Sequence, residues 1–353
     1  LKLNIEQSNL NYVLSTVCKA IPSKPSIPAL SGIKIESTAD KITCTATDLE
    51  MSLKVSFSAM FLEVGQMIVP GKNLAELVKK LPNKLLEIEA TDNIVSVRSQ
   101  KSKYDLPAFA VSEYPKLPVI EGEQIKVNLG DLKTAIKKVI FATDPNDIKP
   151  FISSVLFEIS PEKIRLVATD VNRLAIIDLS AETEQNLTAL VPVRAAKEIL
   201  NLPGDNAMII ISDSQLQIES GGVTLTTRLG NAQYPRYEQV IPKDFIGSFT
   251  VERISLIKSF ERTALIAASA KLEIGDELTV SAKETDRGTA NERLEIKHKG
   301  ESLTVGFNIK YLLDVLKVVE DDSITFQYTQ NQKPVLIQLD DYKYIVMPLK
   351  LAY

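Results

Sequence analysis

The sequence predicts an α+β protein made of three tandem copies of one module, each with two helices and several antiparallel strands. Three observations predict it. A phrase is repeated: Ala46-Thr47-Asp48-Leu49-Glu50 returns as Ala168-Thr169-Asp170-Val171-Asn172, each after a strand-like run and before an alternating apolar one. A second phrase follows each copy. Ile68-Val69-Pro70-Gly71-Lys72 opens the helical stripe Leu74, Leu77, Val78, Leu81, and Leu190-Val191-Pro192-Val193-Arg194 opens its echo. A diverged third copy is Val305-Gly306-Phe307-Asn308, before Ile309, Leu312, Leu313 and Leu316.

The starts and ends of the copies agree as well. Helical stripes Leu10-Val13-Leu14-Val17, Leu132-Ile136-Val139-Ile140 and Ile254-Ile257-Phe260-Leu265 each follow a short strand. Paired alternating strands close each copy, around Ile88 and Val95, Ile210 and Leu216, Ile324 and Leu336. Asp, Asn and Gly turns between the strands, in place of crossover helices, favour antiparallel sheets. The seams are the Pro- and Gly-bearing stretches 117–123 and 241–247. Modules are therefore expected at 1–122, 123–245 and 246–353.

Composition bounds the function. The chain has 353 residues, 44% hydrophobic and 24% charged, as an ordinary globular protein does. No apolar run approaches the roughly 20 residues that cross a bilayer. The opening residues carry no charged-then-apolar pattern, so no export leader is expected. Cys18 and Cys44 lack framework spacing and are expected as reduced cytoplasmic thiols.

Catalytic sets are scarce. His298, between Lys297 and Lys299, is the single histidine and is expected on the surface, which removes histidine-based triads and multi-histidine metal sites. The stretch 65–73 resembles a phosphate loop but fails it. Its glycine spacing is one residue too long, Asn73 replaces Ser/Thr, and Pro70 stands where amides should face phosphate. A nucleotide-using enzyme around this loop and a protein-only scaffold are the competing readings. Asp321-Asp322 and Asp340-Asp341 read as turns, and Asp48 and Asp170 as turn formers that cap their own backbone. No metal or cofactor is expected.

Charge is unevenly distributed. The net charge is −4, yet the expected helices hold about 14 basic and 6 acidic residues, leaving about −12 elsewhere. Lys72 and Lys79 share a helical face opposite Leu74 and Val78, and Lys310 and Lys317 repeat that spacing. Lys133 and Lys137 are an i, i+4 pair, Arg194 and Lys197 hold the matching place in the second copy, and Arg253, Lys258 and Arg262 mark another helix. Lysines on rigid helices suit duplex phosphates without sequence readout, and the helices lack aromatic platforms for stacking single strands.

The chain resembles the bacterial sliding-clamp family, the β subunits of DNA polymerase III. The carrying motifs are Ala168-Thr169-Asp170 with Arg173-Leu174, Tyr234-Pro235-Arg236-Tyr237, the run Gly306 to Leu316, and the tail Val346-Met347-Pro348-Leu349-Lys350-Leu351. They span all three modules. The resemblance implies a head-to-tail homodimer, a ring of six modules with helices around duplex DNA, which tethers the polymerase without catalysis of its own. It places Lys24 and Lys149 on loops that touch DNA, near Lys72 and Arg194. It implies a groove for short peptide tails of the polymerase catalytic subunit, the clamp loader and other proteins, built from Ile152, Thr169, Arg173, Leu174, Pro235 and Val240 with Tyr311, Pro334, Val346, Met347, Pro348 and Leu349. Leu265 and Ile266 match positions in the dimer contact. The sequence departs at Val171-Asn172, where many members have Gly-His, at the extension Ala352-Tyr353, and near Ser269, where about five residues are missing relative to the family. The first copy of the repeated phrase, with Leu49-Glu50-Met51, is expected to be silent toward partners.

Overall fold

A computed structural model describes the chain except residues 39, 40, 59, 92, 331 and 351–353; the side chains of 60–62 are also outside the description. The extension Ala352-Tyr353 therefore lies outside the described residues. Six α-helices are described: α1 (Gln7–Val17), α2 (Gly71–Lys80), α3 (Leu129–Ile140), α4 (Val193–Ile199), α5 (Arg253–Ala264) and α6 (Ile309–Leu316). Each starts directly from the end of a strand, so strand and helix share one continuous piece of chain. The stretch 65–73 is such a junction: the strand Gly65–Pro70 runs straight into α2. Gly71 lies close against its neighbours there: a Cβ would stand 2.3 Å from Ile21 Cδ1, so that side chain would have to shift.

The described residues form two compact units, residues 1–129 with 197–229, and 130–196 with 230–353. The first holds two antiparallel sheets. One has five strands, in the order Met60–Glu63, Lys2–Glu6, Leu85–Ala90, Ile94–Ser99, Ser102–Pro107. The other has eight: Ile125–Asn128, Asn206–Ile211, Gln215–Ser220, Val223–Arg228, Met51–Phe57, Ile42–Thr47, Gly32–Ser37, Gly65–Pro70. Helices α1 and α2 pack together in this unit, burying Leu10, Val13, Leu14 and Val17 of one and Leu74 and Val78 of the other. Gln7 Nε2 donates to Val78 O at 2.6 Å, satisfying a carbonyl of α2.

The second unit holds a twelve-stranded sheet. Its order is Leu187–Pro192, Ser154–Ser160, Lys163–Thr169, Arg173–Ser180, Tyr342–Val346, Val335–Leu339, Ser323–Tyr328, Gly247–Glu252, Gly288–Gly300, Glu277–Glu284, Ser269–Ile274, Leu303–Asn308. Helix α5 packs on α6 and on the strands around Gly288–Gly300. Glu252 caps α5 by accepting from Ile254 N and Ser255 N.

The units do not follow the sequence modules, and strand pairing gives the reason. Met51–Phe57 pairs with Val223–Arg228, and Arg173–Ser180 with Tyr342–Val346, so sheets continue across the seams. Two expectations change. Helix α5 ends at Ala264, and Leu265 is 74% exposed rather than part of the buried stripe. His298 is half-buried, with Nε2 2.8 Å from Tyr328 Oη. Tyr328 Oη itself donates to Glu301 O at 2.6 Å, which makes the imidazole nitrogen the donor in that contact.

Candidate nucleic-acid and partner interface

The repeated phrase makes the same turn twice. Thr47 Oγ1 donates to Met51 O and accepts from Leu49 N, while Asp48 Oδ1 accepts from Glu50 N and Met51 N. Thr169 and Asp170 repeat all four bonds with Arg173 O, Val171 N, Asn172 N and Arg173 N. The two aspartates are thus turn formers, as their residue type suggests. In each turn one residue is left-handed: Leu49 at φ 76° and Val171 at φ 77°. A β-branched side chain in that region is an outlier, and Gly is the residue it favours.

The copies diverge in character two residues further on. Met51 is buried and apolar, whereas Arg173 is a buried cation. Its Nε donates to Asp170 Oδ2 at 2.8 Å, its Nη1 to Asp314 Oδ2 at 2.6 Å, and its Nη2 to Phe141 O. The guanidinium also lies 4.4 Å from the centre of the Tyr311 ring. Tyr344 Oη donates to Tyr311 O at 2.8 Å, and burial pushes that phenol far above its usual pKa. Arg173 thus ties the turn to α6 from below.

Of the groove residues suggested by sequence, Ile152, Thr169, Arg173, Leu174 and Val346 are buried. Leu174 belongs to an apolar cluster with Leu156, Val167, Ile176, Tyr237, Leu336 and Ile345. Buried, these five offer little surface to a ligand. Pro235, Val240, Met347 and Leu349 are exposed, and Tyr311, Pro334 and Pro348 half-buried. Backbone bonds fix the tail: Met347 N donates to Asn172 O and Leu349 N to Gly306 O, both at 2.8 Å. Sequence reasoning missed Asp314 and Phe141 as the groups that hold Arg173; Val171, which it singled out as a departure, is 64% exposed, next in the chain to Met347's backbone partner Asn172. The i, i+4 pair Lys310–Asp314 was the available signal for Asp314.

The helices as bounded here carry twelve basic and five acidic side chains, a surplus of seven, so the rest of a chain of net −4 carries −11. Helix α1 contributes no charge. Lys24, Lys72, Lys79, Lys137, Lys149, Arg194, Lys197, Lys310 and Lys317 are exposed, and Lys133 is half-buried. Two basic helix residues serve the fold instead: Arg253 donates to Asp321 O and Leu316 O, and Arg262 is paired with Glu292. Lys310 pairs with Asp314 at 2.8 Å and Lys317 with Glu261 at 2.7 Å. Such exposed pairs contribute little and yield readily to another anion.

Leu265 and Ile266 sit on the short connection 265–268, the first exposed and the second half-buried. The thiols are unreactive by environment: burial pushes Cys44 up to about 12, and Cys18 up to about 11 despite nearby Lys72.

Repeated strand-and-helix modules, a backbone-bonded tail with exposed Met347 and Leu349, and basic helices define a modular α+β protein. Sequence models of the DNA polymerase III beta subunit match the chain throughout: the N-terminal domain at residues 1–118, the central domain at 124–236 and the C-terminal domain at 238–350. A beta sliding clamp of Synechocystis is 28% identical over the full length of both chains. The crystal structure of the DNA polymerase sliding clamp from Bacillus subtilis superposes with a TM-score of 0.96 at 25% identity, covering 99% of each chain. That of the Thermotoga maritima DNA polymerase III beta subunit gives 0.92 at 26% identity, covering 99% of this chain and all of the other. The chain belongs to the DNA polymerase III beta subunit family. It is a sliding clamp of DNA replication, a processivity subunit that is not itself catalytic.

Proposed function

We propose that two copies of this chain close head to tail into a ring around duplex DNA, with three modules each, at 1–122, 123–245 and 246–353. One observation carries the reading. In the first two modules a four-strand series ends on a partner strand: Met51–Phe57 takes Val223–Arg228, and Arg173–Ser180 takes Tyr342–Val346. The third series, Leu303–Asn308, Ser269–Ile274, Glu277–Glu284, Gly288–Gly300, has among the described residues no such strand along residues 288–295. The strand Ser102–Pro107, matching Val223–Arg228 and Tyr342–Val346 in its own series, is itself an edge. Each chain thus carries one unfilled edge of each kind, and a second copy fills both. Leu265 and Ile266 would lie in this contact.

Inside the ring Lys24, Lys72, Lys79, Lys133, Lys137, Lys149, Arg194 and Lys197 meet phosphates, with Lys310 and Lys317 exchanging their carboxylates for them. Peptide tails of the polymerase catalytic subunit, the clamp loader and other partners place apolar side chains against Met347, Leu349, Pro235 and Val240. Tyr311, Pro334 and Pro348 form the rest of that rim, over the floor of Ile152, Thr169, Arg173, Leu174 and Val346. This activity belongs in the cytoplasm, where Cys18 and Cys44, which form no disulfide with each other, would stay reduced.

Light scattering tests the ring first: a mass of twice 39.0 kDa is expected, and Leu265→Arg should halve it. The loaded protein should then stay on nicked circular DNA and leave linear DNA. Equal loss from both would overturn the proposal.

A further inference from the structure

The first unit holds a basin of about 1040 Å³ between the sheet face of Gly32–Ser37, Ile42–Thr47, Met51–Phe57 and Val223–Arg228 and the seam Tyr114 to Ile120. We propose that it is a binding site for an acidic peptide segment of a protein partner, separate from the apolar groove and independent of it.

The repeat register gives the argument. Counted from Thr47 and Thr169, the cross-strand row Lys34, Thr45, Lys54 occupies the positions of Leu156, Val167, Ile176. The next row, Ser52, Thr226, Gln217, occupies those of Leu174, Ile345, Leu336. In the second unit these six residues form an apolar platform, and the chain from Tyr234 to Phe245 packs on it. At the matching place in the first unit all six are polar. Tyr114 still anchors its seam, its Oη donating to Thr45 O at 3.1 Å, but the chain after it spans an open volume. Apolar filling has been replaced by ammonium and hydroxyl groups, which gains nothing for packing.

Charge names the occupant. Outside the helices the chain carries −11, yet this basin is lined by four lysines, Lys34, Lys41, Lys54 and Lys116, against Glu36 and Glu219. Lys34 is paired with Glu36 at 2.6 Å. Among the described residues the other three lysines, all exposed, make no salt bridge. Val64 and Val119 stand at the rim, 57% and 86% exposed. Lysines flanked by exposed valines match carboxylates interspersed with apolar side chains. The lining offers no exposed aromatic face for a nucleobase, Tyr114 being 7% exposed.

The test is fluorescence anisotropy with a fluorescein-labelled ten-residue probe of alternating glutamate and leucine, on the full-length protein at low salt. Saturable binding is expected, weakened at least tenfold by Lys41→Glu with Lys54→Glu. A second pair, Lys54→Ala with Lys116→Ala, should also weaken it and guards against a folding defect, which circular dichroism reads directly. Lys72→Ala with Lys79→Ala on α2 should leave it unchanged. An equal loss from the α2 variant would reduce the effect to general attraction to positive charge and overturn the proposal. Unchanged binding in both basin variants, or tighter binding there of a ten-residue thymidine oligonucleotide, would overturn it as well. A Leu-bearing probe can also enter the apolar groove, so binding that both basin variants leave unchanged is assigned to that groove; the proposed function is read by mass and by retention on circular DNA, and stands whichever way this test falls.

Discussion

Arg173 and Lys310 share one oxygen atom. Arg173 Nη1 donates to Asp314 Oδ2 at 2.6 Å, and Lys310 Nζ reaches the same oxygen at 2.8 Å. The two pairs differ in surroundings: the Arg173 side chain is 4% exposed and that of Lys310 71%. Removing one partner of a buried pair leaves a charge unsatisfied, whereas an exposed pair is screened. Asp314→Asn should therefore cost about 2–3 kcal/mol of stability in urea unfolding, with Asp170 still holding part of the guanidinium. Lys310→Ala should cost no more than about 0.5 kcal/mol. Equal losses would mean that Asp314 does not anchor the arginine.

Much of this was legible in the sequence, and what was not has a physical reason. The twice-used phrase revealed the repeat because Thr and Asp side chains bond within a few residues of themselves. Pattern also located the helices, whose apolar stripes are local. Pattern could not say that Arg173 faces inward, because its partners Phe141 and Asp314 lie 32 and 141 residues away in the chain. The same limit applies to charge. Arg253 and Arg262 add to the basic sum of the helices, but their bonds to Asp321 and Glu292 depend on packing that spacing alone does not encode.

The left-handed pair offers a comparison of twins. Leu49 and Val171 hold φ of 76° and 77° in turns with the same hydrogen bonds. Glycine relieves the steric cost of that conformation while adding freedom to the unfolded chain. Leu49→Gly and Val171→Gly should each raise stability by up to about 1 kcal/mol, with Val171 gaining more because it is β-branched. Thermal melts check both. Only the Val171 variant should alter affinity for a partner peptide, since its side chain stands beside the tail that carries Met347.

Acid should act through Asp178. Burial pushes its carboxyl up, but the two hydrogen bonds and charge of Arg165, with Lys163, outweigh burial and hold it below the usual carboxylate range. A folded value below the unfolded one, about 3.9, gives stability that is present above that pH and lost as pH falls through the folded value. Asp178→Asn should therefore be less stable than the parent at pH 7. The gap should close progressively below about pH 4. Urea midpoints at pH 7, 5, 4 and 3 read it, and a constant gap across that range would remove the charge from the explanation.

Salt dependence separates the helices from the sheets. Lys72 and Lys79 are exposed on α2 and, among the described residues, make no salt bridge. Each phosphate contact releases condensed counterions and contributes about −0.9 to the slope of log affinity against log salt. Replacing both by Ala should make that slope shallower by about 1.8 per protomer on a short duplex, with little effect on the fold. Lys163 and Lys343, on the twelve-stranded sheet, are the control, and their replacement should leave the slope as it was. Fluorescence anisotropy from about 20 to 200 mM salt measures both. The comparison matters because a uniform loss would follow from net charge alone, which is −4 for the chain and repels DNA. A loss confined to α2 requires that the positive charge be presented on one set of helices, which is how a net acidic chain can stay on DNA and still slide along it.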